Sequence, residues 1–376
     1  MANFFITNIH INTVDNLTDF DIPLSSSELK HLVITGSNGS GKTRLLESLR
    51  DNMAAIQQEA VLKQERNRQL IESYPKIKNS LSLSYRSNIL NLQDVPVLYF
   101  SASRSKLSEP KRASYSSIKN PNFLDYMLSL SDNSYNHPET AISNSVLYSQ
   151  CFSDLQGFLQ ELYEVPELKL KADIEKYNFF ICIPDREPFA IHQVSNSFAS
   201  LINIFTGLVM RSVLLNSIIN YEFPAIALID ELEAHLHVSL QRKIFPLFAR
   251  MFPNVQFIVT TYSPFIISAL ENVVVFDIEK QRTLKNAVFY SYTTIVESYF
   301  CTSQQYRDLE KYLACFKMLS FKDKTTPQEN ADYIEALLAL DKMTPANYEL
   351  FSKYQEILSQ RAANSYGQVN QGSYSK

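Results

Sequence analysis

Glycine is scarce in this chain. There are seven in 376 residues, about 2% against a usual ~7%. Gly367 and Gly372 fall in the polar C-terminal stretch, while Gly36, Gly39 and Gly41 lie within six residues of one another. Cysteine is scarcer still. Cys151, Cys182, Cys301 and Cys315 show no paired spacing, which argues against a disulfide framework or a cysteine zinc site and fits a reducing compartment. Neither sign of charge is in excess: 35 Lys and Arg oppose 39 Asp and Glu, a net charge of −4. A surface built wholly to grip nucleic acid is thereby excluded, though a local basic patch is not. No apolar run approaches the ~20 residues of a membrane span, and the N-terminus lacks a signal-peptide layout. The expectation is a cytoplasmic protein with no membrane association. With 45% apolar and 20% charged residues, the chain can build a large core without disulfide or metal staples, in two or three domains.

Glycine supplies positive φ or a close approach of backbone to a ligand, so its concentration in one loop is informative. The loop reads Gly36-Ser37-Asn38-Gly39-Ser40-Gly41-Lys42-Thr43, an ungapped G-x-x-x-x-G-K-[ST]. The apolar run His31 to Thr35 precedes it as a strand. A stripe at helical spacing follows: Leu45, Leu46, Leu49, Met53, Ile56 and Ala60. Strand, glycine loop and helix together make a phosphate cradle, with loop N–H groups and the helix N-terminus aimed at phosphate oxygens. Residues Gly36 to Thr43 and the adjoining Arg44 are the nucleotide-binding candidates. Lys42 would reach the β- and γ-phosphates, and the Thr43 hydroxyl would ligate Mg²⁺.

The second half of such a site is a carboxylate at the end of a neighbouring buried strand. Ala225-Ile226-Ala227-Leu228-Ile229-Asp230-Glu231 provides five apolar residues and then two acids. Asp230 would hold Mg²⁺, and Glu231 would be the catalytic group that orients or deprotonates water. Residues 238–252 carry a helical apolar face, and Val255 to Thr261 is a second apolar strand. This is a β-α-β crossover beside the P-loop strand.

The segment Leu228-Ile229-Asp230-Glu231-Leu232-Glu233-Ala234-His235-Leu236-His237, followed by Phe257 to Pro264, resembles the ABC-type ATPases of the RecF/SMC/OLD group. More narrowly it is similar to the compact AAA-family ATPases of bacterial anti-phage systems, the PtuA-like ATPases of Septu and retron systems. The strand pair read at residues 4–11 and 17–24 agrees with that group. The resemblance spans residues 1–300 and implies an α/β P-loop head of ABC/SMC type, with N-terminal antiparallel strands, a helical insertion and a C-terminal helical module. It further implies Mg²⁺–ATP held between two copies of the chain, a homodimer or higher assembly, and control of a separate effector such as a nuclease in phage defence. A RecF-like repair ATPase acting on DNA and a weakly hydrolysing ATP-bound scaffold are the alternatives.

Two positions depart from the group's pattern. A Ser-x-Gly signature that would reach the partner's nucleotide is represented by Ser195 and Ser197, with a side chain where glycine is usual. The switch position, usually His, is Tyr262, and a phenol cannot act as an imidazole does. Both departures bear on sensing or hydrolysing the γ-phosphate, so hydrolysis is expected to be slow or partner-dependent.

Elsewhere the chemistry is thin. Residues 102–178 read as a basic loop followed by the helical insertion. Arg104 ends a strand and reads as a solvated loop residue or as one facing nucleotide or nucleic acid. Lys106, Lys111, Arg112 and Lys119 follow it, with Tyr115 and Phe123 interleaved, suiting either a phosphate-backbone contact or an ordinary solvated loop. His235 and His237 lack further metal ligands nearby in the sequence, and Asp19 and Asp21 lie in the opening hairpin. No nuclease site is legible, so any nuclease would be a partner. Residues 301–362 read as a helical docking or dimerisation module, and 363–376 as a disordered tail.

Overall fold

A computed structural model describes residues 4–64, 80–87, 91–108, 123–136, 141–216, 219–285, 304–320, 326–341, 354 and 356–357. The chain divides into two compact units, residues 1–285 and 286–376. In sequence, residues 44–75 read as one long helix and Thr344-Pro345 as the start of a last one; residues 65–75, that last start, most of the basic segment and the tail from Ala363 lie outside the described residues.

In the first unit, strands β1 (Phe5–Val14), β2 (Leu17–Pro23) and β3 (His31–Thr35) precede helix α1 (Lys42–Gln64). Then come β4 (Leu81–Arg86), β5 (Val97–Phe100), and helices α2 (Phe123–Asn136) and α3 (Ala141–Tyr163). A three-stranded antiparallel sheet of β6 (Lys169–Asp173), β7 (Asn178–Cys182) and the short β8 (Phe189–Ala190) leads to α4 (Asn196–Asn216). The last elements are β9 (Ala225–Ile229), α5 (Val238–Met251), β10 (Val255–Thr260), the single turn α6 (Pro264–Ile267), β11 (Val273–Asp277) and β12 (Arg282–Lys285).

The central sheet has the order β12-β11-β3-β10-β9-β5. Five strands are parallel and β12 closes the edge antiparallel. Every residue of β3, β9, β10 and β11 is buried, as befits parallel strands covered on both faces and written as apolar runs. β10 lies between the P-loop strand and β9, so the loops after β3, β9 and β10 converge at one carboxyl edge of the sheet. The stripe Leu45, Leu46, Leu49 and Met53 of α1 is fully buried. It shares one apolar cluster with Ile6, Ile9, Ile11 and Ile22 of the separate sheet β2-β1-β4. Gln256 in β10 fastens that sheet, accepting from Ile6 N–H at 2.7 Å and donating to the Ile6 carbonyl at 3.0 Å.

Two sequence expectations need correction. In sequence, Phe189 to Val194 reads as a strand leading into Ser195, but the strand stops at Ala190, because the Gln193 side chain accepts the Ala190 N–H and residues 191–193 close a tight turn. A run long and apolar enough to cross a membrane does exist, Asn196–Leu215 in α4. It is 67% buried, and its Phe205 stacks on Phe158 of α3 at 4.4 Å. That burial suits a core helix.

His31, first residue of β3, is 2% exposed, and its Nδ1 accepts the Phe257 N–H at 3.2 Å. Burial, aided by Lys30, pulls its pKa from 6.5 down to about 3. The unfolded chain therefore binds a proton that the folded chain refuses anywhere between pH 6.5 and 3. Stability is full above 6.5 and falls as pH drops through that window, by up to about 1.4 kcal/mol per pH unit. Denaturant unfolding at pH 7.5, 6 and 5 should show this slope. His31→Asn, which keeps an acceptor and does not titrate, should flatten it.

In the second unit, α7 (Gln304–Ser320) and α8 (Pro327–Asp341) pack Leu313 and Phe316 against Ala336 and Leu340, with Tyr354 and Ile357. Thr326 and Glu329 exchange capping bonds at the start of α8, the reciprocal pair that the Thr-Pro-Gln-Glu sequence spells.

Candidate functional site

The P-loop leaves β3 at Gly36. A Cβ there would lie 2.7 Å from Ile278 and 2.8 Å from the Ser40 hydroxyl, so only glycine lets the loop turn this tightly. Gly39 takes φ +80° with no protein atom within 4 Å of a would-be Cβ, so at this position the backbone conformation alone favours glycine. Lys42 is 4% exposed. Its ammonium donates to the carbonyls of Gly36 at 2.9 Å and Ser37 at 2.7 Å, and stands 4.0 Å from the centre of the Tyr262 ring. Burial lowers its pKa, opposed by the carboxylates of Glu279, Glu231, Glu233 and Asp230.

The next side chain completes the junction. Thr43 Oγ1 donates to Asp230 at 3.1 Å from both carboxylate oxygens. Thr260, at the end of β10, donates to Asp230 Oδ1 at 2.6 Å while accepting the Glu231 N–H at 2.8 Å. The first turn of α1 and the ends of β9 and β10 thus meet on one carboxylate. Hard oxygen donors from Thr43 and Asp230, side by side, fit a Mg²⁺ ion.

Glu231 turns the chain sharply with φ +48°. Its Oε1 accepts the Tyr262 hydroxyl at 2.9 Å. Burial, then that bond and the surrounding acids, push the Tyr262 pKa up to about 12, so the phenol is a donor throughout the neutral range. Tyr262 N–H donates to Glu233, whose pKa burial raises.

The two serines lie at the start of α4. Exposed Ser195 caps the helix, its carbonyl accepting the Ala199 N–H at 2.9 Å. Ser197 donates to the His235 carbonyl, so the helix start is tied to the turn that follows Glu231. His237 caps α5, with Nδ1 accepting the Ser239 N–H. Arg44 stands largely exposed on the first turn of α1 beside Glu47.

Arg104 corrects the picture of a solvated loop residue. It is 9% exposed, and its guanidinium donates to the carbonyls of Ser101, Asp230, Glu231 and Leu232. Burial lowers its pKa to about 10, which leaves it charged. Glu279, just past β11, is a site residue that the sequence patterns do not mark. Its carboxylate accepts both the N–H and the hydroxyl of Ser37. Beside it a cleft of about 330 Å³ runs along the P-loop, lined by Asp15, Asn16, Gly39, Ser40, Glu279 and Gln281 among others. Acids close behind an apolar run, Asp277 and then Glu279 after Val273 to Phe276, were the available signal, and Asp230-Glu231 carries the same signal more strongly.

This sheet order, with a strand inserted between the P-loop strand and the acid-bearing strand, and this junction define a P-loop nucleotide-binding head. Residues 32–268 match the family described as "AAA domain, putative AbiEii toxin, Type IV TA system", and the chain belongs to that family. It is similar to the Septu protein PtuA of Bacillus mycoides (strain KBAB4), 24% identical over 298 residues that cover 71% of this chain and 39% of that protein. It is similar also to the Retron Ec83 probable ATPase of Escherichia coli, 34% identical over 85 residues, 22% of this chain and 16% of that one. The aligned part thus spans 39% or less of these relatives' own length. Among solved structures, an SMC head bound to the C-winged helix domain of ScpA is similar at TM-score 0.42 and 13% identity, covering 74% of this chain and 96% of that one.

Proposed function

We propose that this chain binds Mg²⁺–ATP between two copies of itself, hydrolyses it slowly, and uses that cycle to control a separate effector, a nuclease, in bacterial phage defence. The observation that carries the reading is the meeting of Thr43, Asp230, Thr260 and Glu231 at one sheet edge. Relatives named as Septu and retron proteins support the defence role.

In this reading the loop N–H groups from Gly36 to Thr43, with Arg44 beside them, hold the triphosphate, and Lys42 leaves the Gly36 and Ser37 carbonyls to meet it. Thr43 and Asp230 hold Mg²⁺, which supplies charge neutralisation at the phosphates. Glu231 takes the proton of attacking water. Ser195 and Ser197 of a second copy close the site.

One contact favours a second reading, an ATP-bound scaffold with little turnover. The Tyr262 hydroxyl sits on the Glu231 oxygen that would take a proton. Phosphate release by the purified protein, with Mg²⁺ or with excess EDTA, and with or without duplex DNA, tests the proposal. Turnover that needs Mg²⁺ is expected. Bound ATP without turnover would favour the scaffold, stimulation by DNA would favour a repair-type ATPase, and neither binding nor turnover would overturn the reading.

A further inference from the structure

We infer that Arg104 and Asn203 are positioning residues for hydrolysis, a strut that holds the Glu231 turn and ties it to helix α4. The inference rests on the ATPase reading above and deepens it, since neither residue belongs to a nucleotide-binding motif.

Three consecutive carbonyls, those of Asp230, Glu231 and Leu232, accept from one guanidinium at 2.5, 2.9 and 3.5 Å. Successive carbonyls of a strand alternate in direction. Here the chain leaves β9 through a left-handed Glu231, a conformation that a side-chain-bearing residue keeps only where its surroundings enforce it. The planar fork of Arg104 is such an enforcer, and its charge also offsets Asp230, Glu233 and Glu231. A lysine ammonium has fewer donors and no plane, and it cannot span the same carbonyls.

The fork is itself anchored. Asn203 Nδ2 donates to the carbonyls of Arg104 at 2.8 Å and Lys106 at 3.1 Å. Asn203 lies on α4, six residues after Ser197. One turn further, Gly207 lets the helix close on Phe100 at the end of β5, where a Cβ would stand 2.8 Å from the ring. β5 in turn accepts the Asp230 N–H at the Phe100 carbonyl, 2.8 Å away. Helix α4 therefore grips the Glu231 turn at two places, through Ser197 on the His235 carbonyl and through Asn203 by way of Arg104. If a second copy presses on the N-terminus of α4, that displacement reaches the catalytic acid of the same chain along packed, hydrogen-bonded groups.

The test compares full-length wild type, Glu231→Gln, Arg104→Lys and Asn203→Ala, and each of the last two combined with Glu231→Gln. Steady-state ATP turnover, Mg²⁺–ATP affinity by fluorescent-nucleotide titration, and thermal midpoint are read for each. Arg104→Lys and Asn203→Ala should each lower kcat by about tenfold or more, the effect of a misplaced catalytic group, with Kd changed by less than about threefold. In the Glu231→Gln background neither should lower the remaining turnover further, because the group they position is gone. A purely structural role predicts the opposite pattern: Kd and thermal midpoint falling together with kcat, and the same further loss in the Glu231→Gln background. That result, or kcat unchanged in both variants, overturns the inference while leaving the ATPase reading intact. Wild type and Glu231→Gln turning over equally would instead sink the ATPase reading, and the inference with it.

Discussion

Lys42→Ala should abolish Mg²⁺–ATP binding, raising the dissociation constant by about a hundredfold or more, the scale of a lost charge-assisted phosphate contact. Lys42 is the one cation on the P-loop whose ammonium already lies inside the loop's curve, against the Gly36 and Ser37 carbonyls. It faces Glu279, Glu231, Glu233 and Asp230, an acidic setting that repels a triphosphate once the lysine is gone. The variant also loses both carbonyl contacts and the Tyr262 ring contact, so its thermal midpoint should be measured beside the titration. A folded Lys42→Ala protein that binds Mg²⁺–ATP within about threefold of wild type would remove the lysine from the phosphate site.

The parts of this site that could be read beforehand are those whose chemistry forces a local pattern. A phosphate cradle needs glycines at set intervals, and a buried parallel strand needs an unbroken apolar run. Hence Gly36 to Thr43, Asp230 with Glu231, and the β-α-β crossover through β10 were all legible. Arg104 was not, because its signal is non-local: it lies in a Ser-rich polar stretch, and its burial follows from carbonyls 126 to 128 residues away. Asn203 is an amide in a largely apolar helix, and nothing in the spacing says which carbonyl it meets. Glu279 has the same character, since its partner Ser37 lies 242 residues away. Strand β4 reads Leu-Ser-Leu-Ser, an alternation too short to stand out, and it pairs with β1 only through the fold. Elements written in local periodicity were visible, and contacts decided by chain topology were not.

Glu231→Gln should cut ATP turnover by about a hundredfold or more, the usual worth of a positioned general base, while keeping or tightening Mg²⁺–ATP binding. The substitution is nearly isosteric. The amide oxygen can still accept the Tyr262 hydroxyl, the backbone N–H still reaches Thr260, and the Arg104 fork acts on carbonyls alone. What disappears is one negative charge among Asp230, Glu231 and Glu233, which both removes the proton acceptor and eases the repulsion felt by a triphosphate. ATP should therefore co-purify with the variant in greater amount than with wild type, as measured by nucleotide extraction. Tyr262→Phe gives the complementary result. Removing the phenol donor from Glu231 Oε1 should raise turnover in the wild-type background and change nothing in Glu231→Gln, because the restraint acts only through that carboxylate. Undiminished turnover in Glu231→Gln would transfer the base to another residue. A fall in turnover for Tyr262→Phe would mean that the hydroxyl aids hydrolysis, by holding Glu231 where water meets it.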